Sequence, residues 1–358
     1  MRADVHSFSA SAPDDVEGLT QALRDRRIVA ADIIAVIGKT EGNGAGNDFT
    51  RAMATDAFTR LLAGNLGIPE SEVASRIMLS FSGGSEGVIT PHYLVCTKHA
   101  SAPPSEPAAR KRLALAVGRT RPFDPAEVGT MAMLRETEAA VRRAMSELRV
   151  PADDIHLVHV KAALPAAEAG AAGLPRCTMA QARAASALGV AAALGEVDAD
   201  ELTADAIGVR RDLYSRVANV SAKPGLRVSE ILVFANSPYW SSPCRIHHAV
   251  MRDIIDIEPV RVLLASAGLS ACGQLAPEQT RRIRALFAKS DADPSHMIRG
   301  RRHTMWSDED FSDMRYSRCV VGGVLAALTG TTAVYVSTRA EHMGPSGGGP
   351  VAVIVDDE

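Results

Sequence analysis

Phe49-Thr50-Arg51-Ala52 begins a stretch with helical spacing, and close variants of it return as Gln181-Ala182-Arg183-Ala184 and Tyr316-Ser317-Arg318-Cys319. Each arginine follows a segment that ends in lysine and precedes an apolar, strand-like run that ends in serine. The lysines are Lys39, Lys161 and Lys289; the serines are Ser82, Ser221 and Ser337. The period is above about 100 residues, far longer than the 20–50 residues of solenoids and propellers. The pattern points to three copies of one α/β unit sharing a centre.

Reading outward, apolar runs and helical spacing alternate along the chain. Asp32–Ile37 and Arg76–Phe81 read as strands around a helix at Phe49–Leu66. In the next part, Arg112–Val117, Ile155–Val160 and Glu230–Ala235 read as strands, and Glu127–Leu148 and Ala180–Leu194 as helices. In the last, Pro277–Phe287 reads as a helix running to Lys289, Met314–Leu328 as a helix, and Ala333–Val336 and Val351–Val355 as strands. The Pro-rich connector Ser101–Pro107 continues neither helix nor strand, and a softer break lies at Met251–Glu258. The units expected are therefore 1–103, 108–250 and 253–358.

The 358 residues are 46% hydrophobic with a net charge of −3. That supplies apolar material for one large compact body or for two to three domains and gives no basic face for nucleic acid. No apolar run approaches the roughly 20 residues that span a bilayer, and the N-terminus lacks a signal-peptide apolar core. Five scattered cysteines without C-x-x-C point to a reduced, cytoplasmic protein.

Several familiar sites are excluded. Gly38-Lys39-Thr40 has Ile33 where a phosphate loop needs its first glycine, and Asn47 breaks the dinucleotide fingerprint of Gly42–Gly46. The ten histidines form no H-E-x-x-H, so a catalytic zinc centre has no support. Ser82-Gly83-Gly84-Ser85-Glu86-Gly87 follows a strand and offers either a tight turn or N–H groups aimed at a ligand oxygen. Ala340–Pro350 is a Gly-rich loop, either a plain turn or a source of carbonyl oxygens for Mg²⁺ or Ca²⁺. No organic cofactor is indicated.

These stretches together resemble the cyanuric acid hydrolase and barbiturase family of ring-opening amidohydrolases. The carrying segments are Val36–Gly44, Ser82–Val88 with Pro91-His92, Ile298–Met305, Ala340–Pro345 and Gly347–Pro350. The resemblance spans nearly the whole chain. It implies three α/β repeats around a pseudo-threefold axis, one central site, a small cyclic imide substrate and a homotetramer. It also implies Ser221 as nucleophile and Lys161 as its base, with Lys39 and Lys289 as supporting lysines. Arg51, Arg183, Arg318, Ser82, Gly83, Ala222, Ser337 and Thr338 would bind the ring.

A planar ring with three carbonyls asks for three donor sets, which a serine, a neighbouring N–H and an Arg fork per repeat supply. Clustered cations should lower the lysine pKa values, leaving Lys161 neutral enough to take the serine proton. Ring opening would turn cyanuric acid into a carboxylated biuret, and barbituric acid into ureidomalonate. In the third repeat Ser337-Thr338-Arg339 and Met343 replace the family's Ser-Gly-Gly and Gln. The less symmetric arm leans the reading toward barbituric acid. The family's structural metal would be held by Asp291 and the carbonyls of Ala340, Met343, Gly344, Pro345 and Gly348.

Overall fold

The computed structural model describes residues 1–44, 47–101, 106–165, 178–303 and 312–357. Gly46, most of the Pro-rich connector, Cys177, and Thr304 and Met305 lie outside them. Unit one comprises β1 (Arg2–Ser9), α1 (Glu17–Arg24), β2 (Ile33–Thr40), α2 (Thr50–Leu66), α3 (Glu70–Arg76), β3 (Met78–Gly83) and β4 (His92–His99). Unit two comprises β5 (Arg112–Pro122), α4 (Met131–Leu148), β6 (Ile155–Leu164), α5 (Met179–Leu194), β7 (Ala218–Pro224) and β8 (Val228–Ser237). Unit three comprises β9 (Cys244–Met251), α6 (Ile257–Ser266), α7 (Pro277–Thr280), β10 (Ile283–Ser290), β11 (Met297–Ile298), β12 (Arg301–Arg302), α8 (Asp313–Thr329), β13 (Tyr335–Thr338) and β14 (Gly349–Asp356).

Each unit builds one four-stranded sheet, and the three orders are the same: β1-β4-β2-β3, β5-β8-β6-β7 and β9-β14-β10-β13. In every sheet the second and third strands of the unit run parallel and are joined by a helical crossover. The remaining contacts are antiparallel. Thus the threefold repetition read from Lys, Arg and Ser is a repetition of topology.

Two expectations need correction. Pro277–Phe287 is not one helix: α7 stops at Thr280, and Ile283–Ser290 is the strand β10. Leu286, Phe287 and Ala288 are buried on both faces of the sheet, and a short apolar run of this kind has no periodicity to separate strand from buried helix. The second boundary also moves. Cys244–Met251 pairs with β14 along its whole length, so the third unit begins at β9 rather than after residue 250.

The two faces of each sheet are distinguished by the period of two along a strand. On β10 and β14, Ala285, Phe287, Ala352 and Ile354 join a core shared by all three sheets. Leu286, Ala288, Val351 and Val353 pack instead on the helices of the third unit. On β2, Ala35 and Ile37 enter the shared core, whereas Val36 meets the helices of the first unit. Lys39 and Lys289 continue the inward parity of Ile37 and Phe287, and this parity delivers cationic side chains to the centre. In unit two α4 and α5 lie close together: a Cβ on Gly189 would sit 2.5 Å from the Leu134 carbonyl oxygen.

Candidate active site

The strand register sets each lysine beside its serine. Lys39 is the parallel partner of Ser82, Lys161 of Ser221, and Lys289 of Ser337. The lysines are nearly inaccessible, at 1%, 3% and 1% exposure. Each also crosses to another unit, accepted by the carbonyl of the residue just before that unit's serine. Lys39 Nζ donates to Val336 O at 2.7 Å, Lys161 Nζ to Phe81 O at 2.8 Å, and Lys289 Nζ to Val220 O at 2.7 Å. The three bonds close a ring that ties the units together around the axis. Satisfied donors allow amines to be buried here at all.

Beyond the ring the pairs differ. Lys39 Nζ donates its other bond to Gly83 O at 2.7 Å, and Ser82 Oγ has turned to the same carbonyl at 3.5 Å. Lys289 Nζ lies 3.1 Å from Ser337 Oγ, but Ser337 is only 4% exposed. Lys161 Nζ lies 2.9 Å from Ser221 Oγ, and Ser221 is partly exposed. Among the three pairs only this one combines a short lysine–serine contact with an accessible hydroxyl. A cavity of about 280 Å³ adjoins it, lined by Asp48, Arg51, Phe81, Lys161 and Lys223 among others. A larger cavity of about 660 Å³ at Glu196, Tyr214, Arg216 and His248 has no lysine–serine pair in its lining.

The electrostatics follow the geometry. Burial, then the charges of Arg51 and Lys223, push the Lys161 ammonium down to about 7, with Glu230 acting the other way. Burial is also the main cause that holds Lys39 and Lys289 well below the usual lysine range. Lys161 is therefore poised between its two protonation states near neutral pH, as a group that takes and returns a proton requires.

The arginines depart from the expectation of open forks. Arg183 places Nε and Nη2 at 2.7 Å from the two carboxylate oxygens of Glu341. Arg318 meets Glu86 at 2.6 and 2.7 Å, and also approaches Asn43 O and Thr338 Oγ1. A Cβ on Gly84, at φ +95°, would fall on the Arg318 guanidinium, so the Ser82 loop closes on this arginine only because position 84 has no side chain. Both pairs join different units. Each satisfies a buried charge whose partner, if removed, would leave an uncompensated ion. Counting from the serine, Glu86 and Glu341 both stand four positions on, where unit two has Gly225. Arg51 instead meets Asp48 of its own unit at 3.6 Å. The sequence reading passed over both acids, although their common offset from serine was the available signal.

The proposed cation-binding residues are near one another only in part. Asp291, at the end of β10, receives the Ala340 N–H at 3.4 Å and faces Arg211 at 3.7 Å. Met343 turns its thioether to the Val220 N–H at 3.1 Å. Gly344 and Gly348 donate their N–H groups to Ser215 O and Pro345 O. Arg339 points to Asp313 at 2.9 Å, away from the lysine ring.

Comparison with known proteins agrees with this architecture. The sequence profile described as amidohydrolase ring-opening protein matches residues 4–356. The chain belongs to the ring-opening amidohydrolase family. A cyclic amide hydrolase of Azorhizobium caulinodans is 43% identical, with 99% of this chain and 100% of that one aligned. A cyanuric acid amidohydrolase of Bradyrhizobium diazoefficiens is 43% identical over 98% and 97% of the two chains. A solved cyanuric acid hydrolase, described as an evolutionary innovation by structural concatenation, superposes with a TM-score of 0.92 at 38% identity, covering 99% of each chain. The solved relative thus shares the α/β architecture of this chain over its whole length, and the two sequence relatives are named for hydrolysis of a cyclic amide and of cyanuric acid. No helix among the described residues is long and apolar enough to cross a membrane.

Proposed function

We propose that this ring-opening amidohydrolase cleaves a C–N bond of a planar six-membered cyclic imide, with Ser221 as nucleophile and Lys161 as its base. The observation that carries the reading is the 2.9 Å contact between Lys161 Nζ and the accessible Ser221 Oγ. Neutral Lys161 takes the serine proton as Oγ attacks a ring carbonyl, forming a tetrahedral oxyanion. Donors beside Ser221, the Ala222 N–H and Arg51 among them, stabilise that oxyanion. The C–N bond then breaks and the ammonium of Lys161 returns the proton to the leaving nitrogen. Water, deprotonated by the same amine, attacks the acyl-enzyme, and the carboxylate product leaves with Ser221 restored. Ser82 with Gly83 and Ser337 with Thr338 bind the two other carbonyls, while Arg183 and Arg318 shape those stations through their carboxylate partners. Lys39 and Lys289 anchor the strand ends.

Cyanuric acid ranks ahead of barbituric acid in this reading. Half of the argument for an asymmetric ring rested on Arg339, whose cation is directed at Asp313, and the relatives described above include a cyanuric acid amidohydrolase. Thr338 remains as the other half. Ring opening of both imides by the purified protein, followed by loss of ultraviolet absorbance and product mass, is the test. Turnover of cyanuric acid at the higher kcat/KM is expected. Turnover of neither would overturn the substrate class.

We also propose a structural Mg²⁺ or Ca²⁺ held by Asp291 with the carbonyls of Ala340, Met343, Gly344, Pro345 and Gly348, of which Ala340 O and Pro345 O already accept N–H bonds within the loop. Burial raises the Asp291 carboxyl to about 6, against the pull of Arg211, so the buried acid is only partly compensated by that one arginine at 3.7 Å. The Met343 side chain is engaged elsewhere, which leaves its carbonyl for the ion. Mg²⁺ or Ca²⁺ added after chelation should raise the melting temperature of the wild type. At about 100 times Kd the gain is roughly 2.7 kcal/mol. Asp291→Asn should lose that response, and equal responses would remove the site.

A further inference from the structure

The three sheets carry one row of residues each across the level of the lysine, and the rows can be compared position by position. In unit one the row is Ser9–His92–Lys39–Ser82. In unit two it is Arg119–Glu230–Lys161–Ser221. In unit three, continuing the Ala288–Val351 ladder by one residue places Pro350 opposite Lys289, and the row is Val250–Pro350–Lys289–Ser337. Only unit two has a carboxylate beside its lysine in the row. Directly opposed residues on neighbouring antiparallel strands share a face, with Cβ atoms about 4.5–5.5 Å apart.

We propose that Glu230 is a positioning residue for Lys161, and that it distinguishes the second lysine–serine pair from the other two. The inference rests on the reading of Lys161 as base. Glu230 is 7% exposed, with Arg119 at 3.7 Å on one side in the row and Lys161 opposite it on the other. A buried carboxylate in this place supports the ammonium that forms when Ser221 gives up its proton, and it holds the amine toward β7. Units one and three spend an acid differently: Glu86 and Glu341 pair with arginines from neighbouring units. Unit two has Gly225 at that offset and carries its acid on β8, beside the lysine.

Other charged groups act on Lys161 as well. Arg51 from α2 and Lys223 from β7 disfavour its ammonium, and Lys161 in turn disfavours the ammonium of Lys39 on β2 and of Lys289 on β10. Asp48 and Asp56 line the cavity that Lys161 also lines, and His159 lies two residues earlier on β6. Glu230 is the carboxylate that opposes the cations from within the sheet. Its removal should make Lys161 less basic and the developing ammonium less stable.

The test is Glu230→Gln, read by the pH dependence of kcat/KM on the better imide. The acid limb is expected to move to lower pH by about one unit, with kcat lowered about 10- to 100-fold and KM nearly unchanged. Glu230→Asp should recover part of the rate. Arg119→Lys, which keeps a cation beside the carboxylate, should leave the limb in place. An unmoved limb in Glu230→Gln would overturn the proposal and leave a structural ion pair. A second readout separates this from failure of the substrate assignment. The titration of Lys161 followed by ¹³C NMR of its ε-carbon, assigned with Lys161→Met, should shift downward in Glu230→Gln whether or not either imide is turned over. No shift there would sink the inference even if the enzyme were active.

Discussion

Ser221→Ala should lose ring opening almost completely, with kcat lowered on the order of 10⁴-fold or more, the scale seen when a nucleophile is removed from an otherwise intact site. Three serines stand at equivalent register positions, so a lesser loss at the other two is the informative contrast. Ser82→Ala removes a hydroxyl that already faces Gly83 O rather than Lys39. Ser337→Ala removes one that is 4% exposed. Each of these should cost about 1–3 kcal/mol of binding, the size of one unmade hydrogen bond, and appear mainly in KM. Rapid quench followed by intact-protein mass measurement supplies the independent check. An acyl adduct should accumulate on Ser221 with a slow substrate and be absent from the Ser221→Ala protein. An adduct on Ser337, or a Ser337→Ala enzyme as inactive as Ser221→Ala, would move the chemistry to the third unit.

The contrast also marks what a sequence can disclose about such a site. Lys39, Lys161 and Lys289 were legible because cationic residues at the ends of apolar segments recur in one order with arginine and serine. The resemblance then assigned the second pair. The strand β10 was misread because Leu286–Ala288 is apolar on both faces, which erases the period of two. The start of the third unit was misplaced because β9 owes its position to β14, about a hundred residues further on. The carboxylates were missed for the same kind of reason. Glu341 meets Arg183 across 158 positions and Glu86 meets Arg318 across 232, so neither pair has a local signature. Glu230 became visible only when the three rows were laid side by side, since a lone glutamate in a strand carries no sign of what lies opposite.

The concatenation itself explains why one chain can afford such differences. Three separate subunits would share every substitution, whereas three covalently joined units can diverge one at a time. Unit two has Gly225 at the Ser+4 position and Glu230 beside its lysine, unit three has Thr338 and Arg339 after its serine, and unit one has the glycines that let Arg318 approach. The lysine ring is what the units have in common, and each lysine holds a neighbouring unit through a backbone carbonyl, a contact indifferent to side-chain change there.

Lys161→Met should separate stability from activity most sharply. Lys161 titrates at about 7 in the folded chain, against about 10.4 when exposed. Below pH 7 the amine is protonated in both states and the cost of burying it is fully present. As pH rises from about 7 to about 10.4 the unfolded chain holds the extra proton, so stability increases with pH over that window. The difference corresponds to about 5 kcal/mol at most, reduced by the loss of the bond to Phe81 O, which would stand unmade in the variant. A methionine of similar length removes the charge and fills the space. The variant should therefore melt a few degrees higher at pH 6, on the order of 1 °C per kcal/mol for a chain of this size, and show a weaker rise of stability with pH between 7 and 10, since buried Lys39 and Lys289 keep their share of it. Its kcat/KM should fall on the order of 10⁴-fold, since no group remains within reach of Ser221 Oγ to take the proton. Calorimetry at pH 6 and pH 9, beside the activity assay, reads both effects. A variant less stable at pH 6 would mean that the Phe81 bond outweighs the buried charge. A variant that keeps its rate would remove Lys161 from the base role.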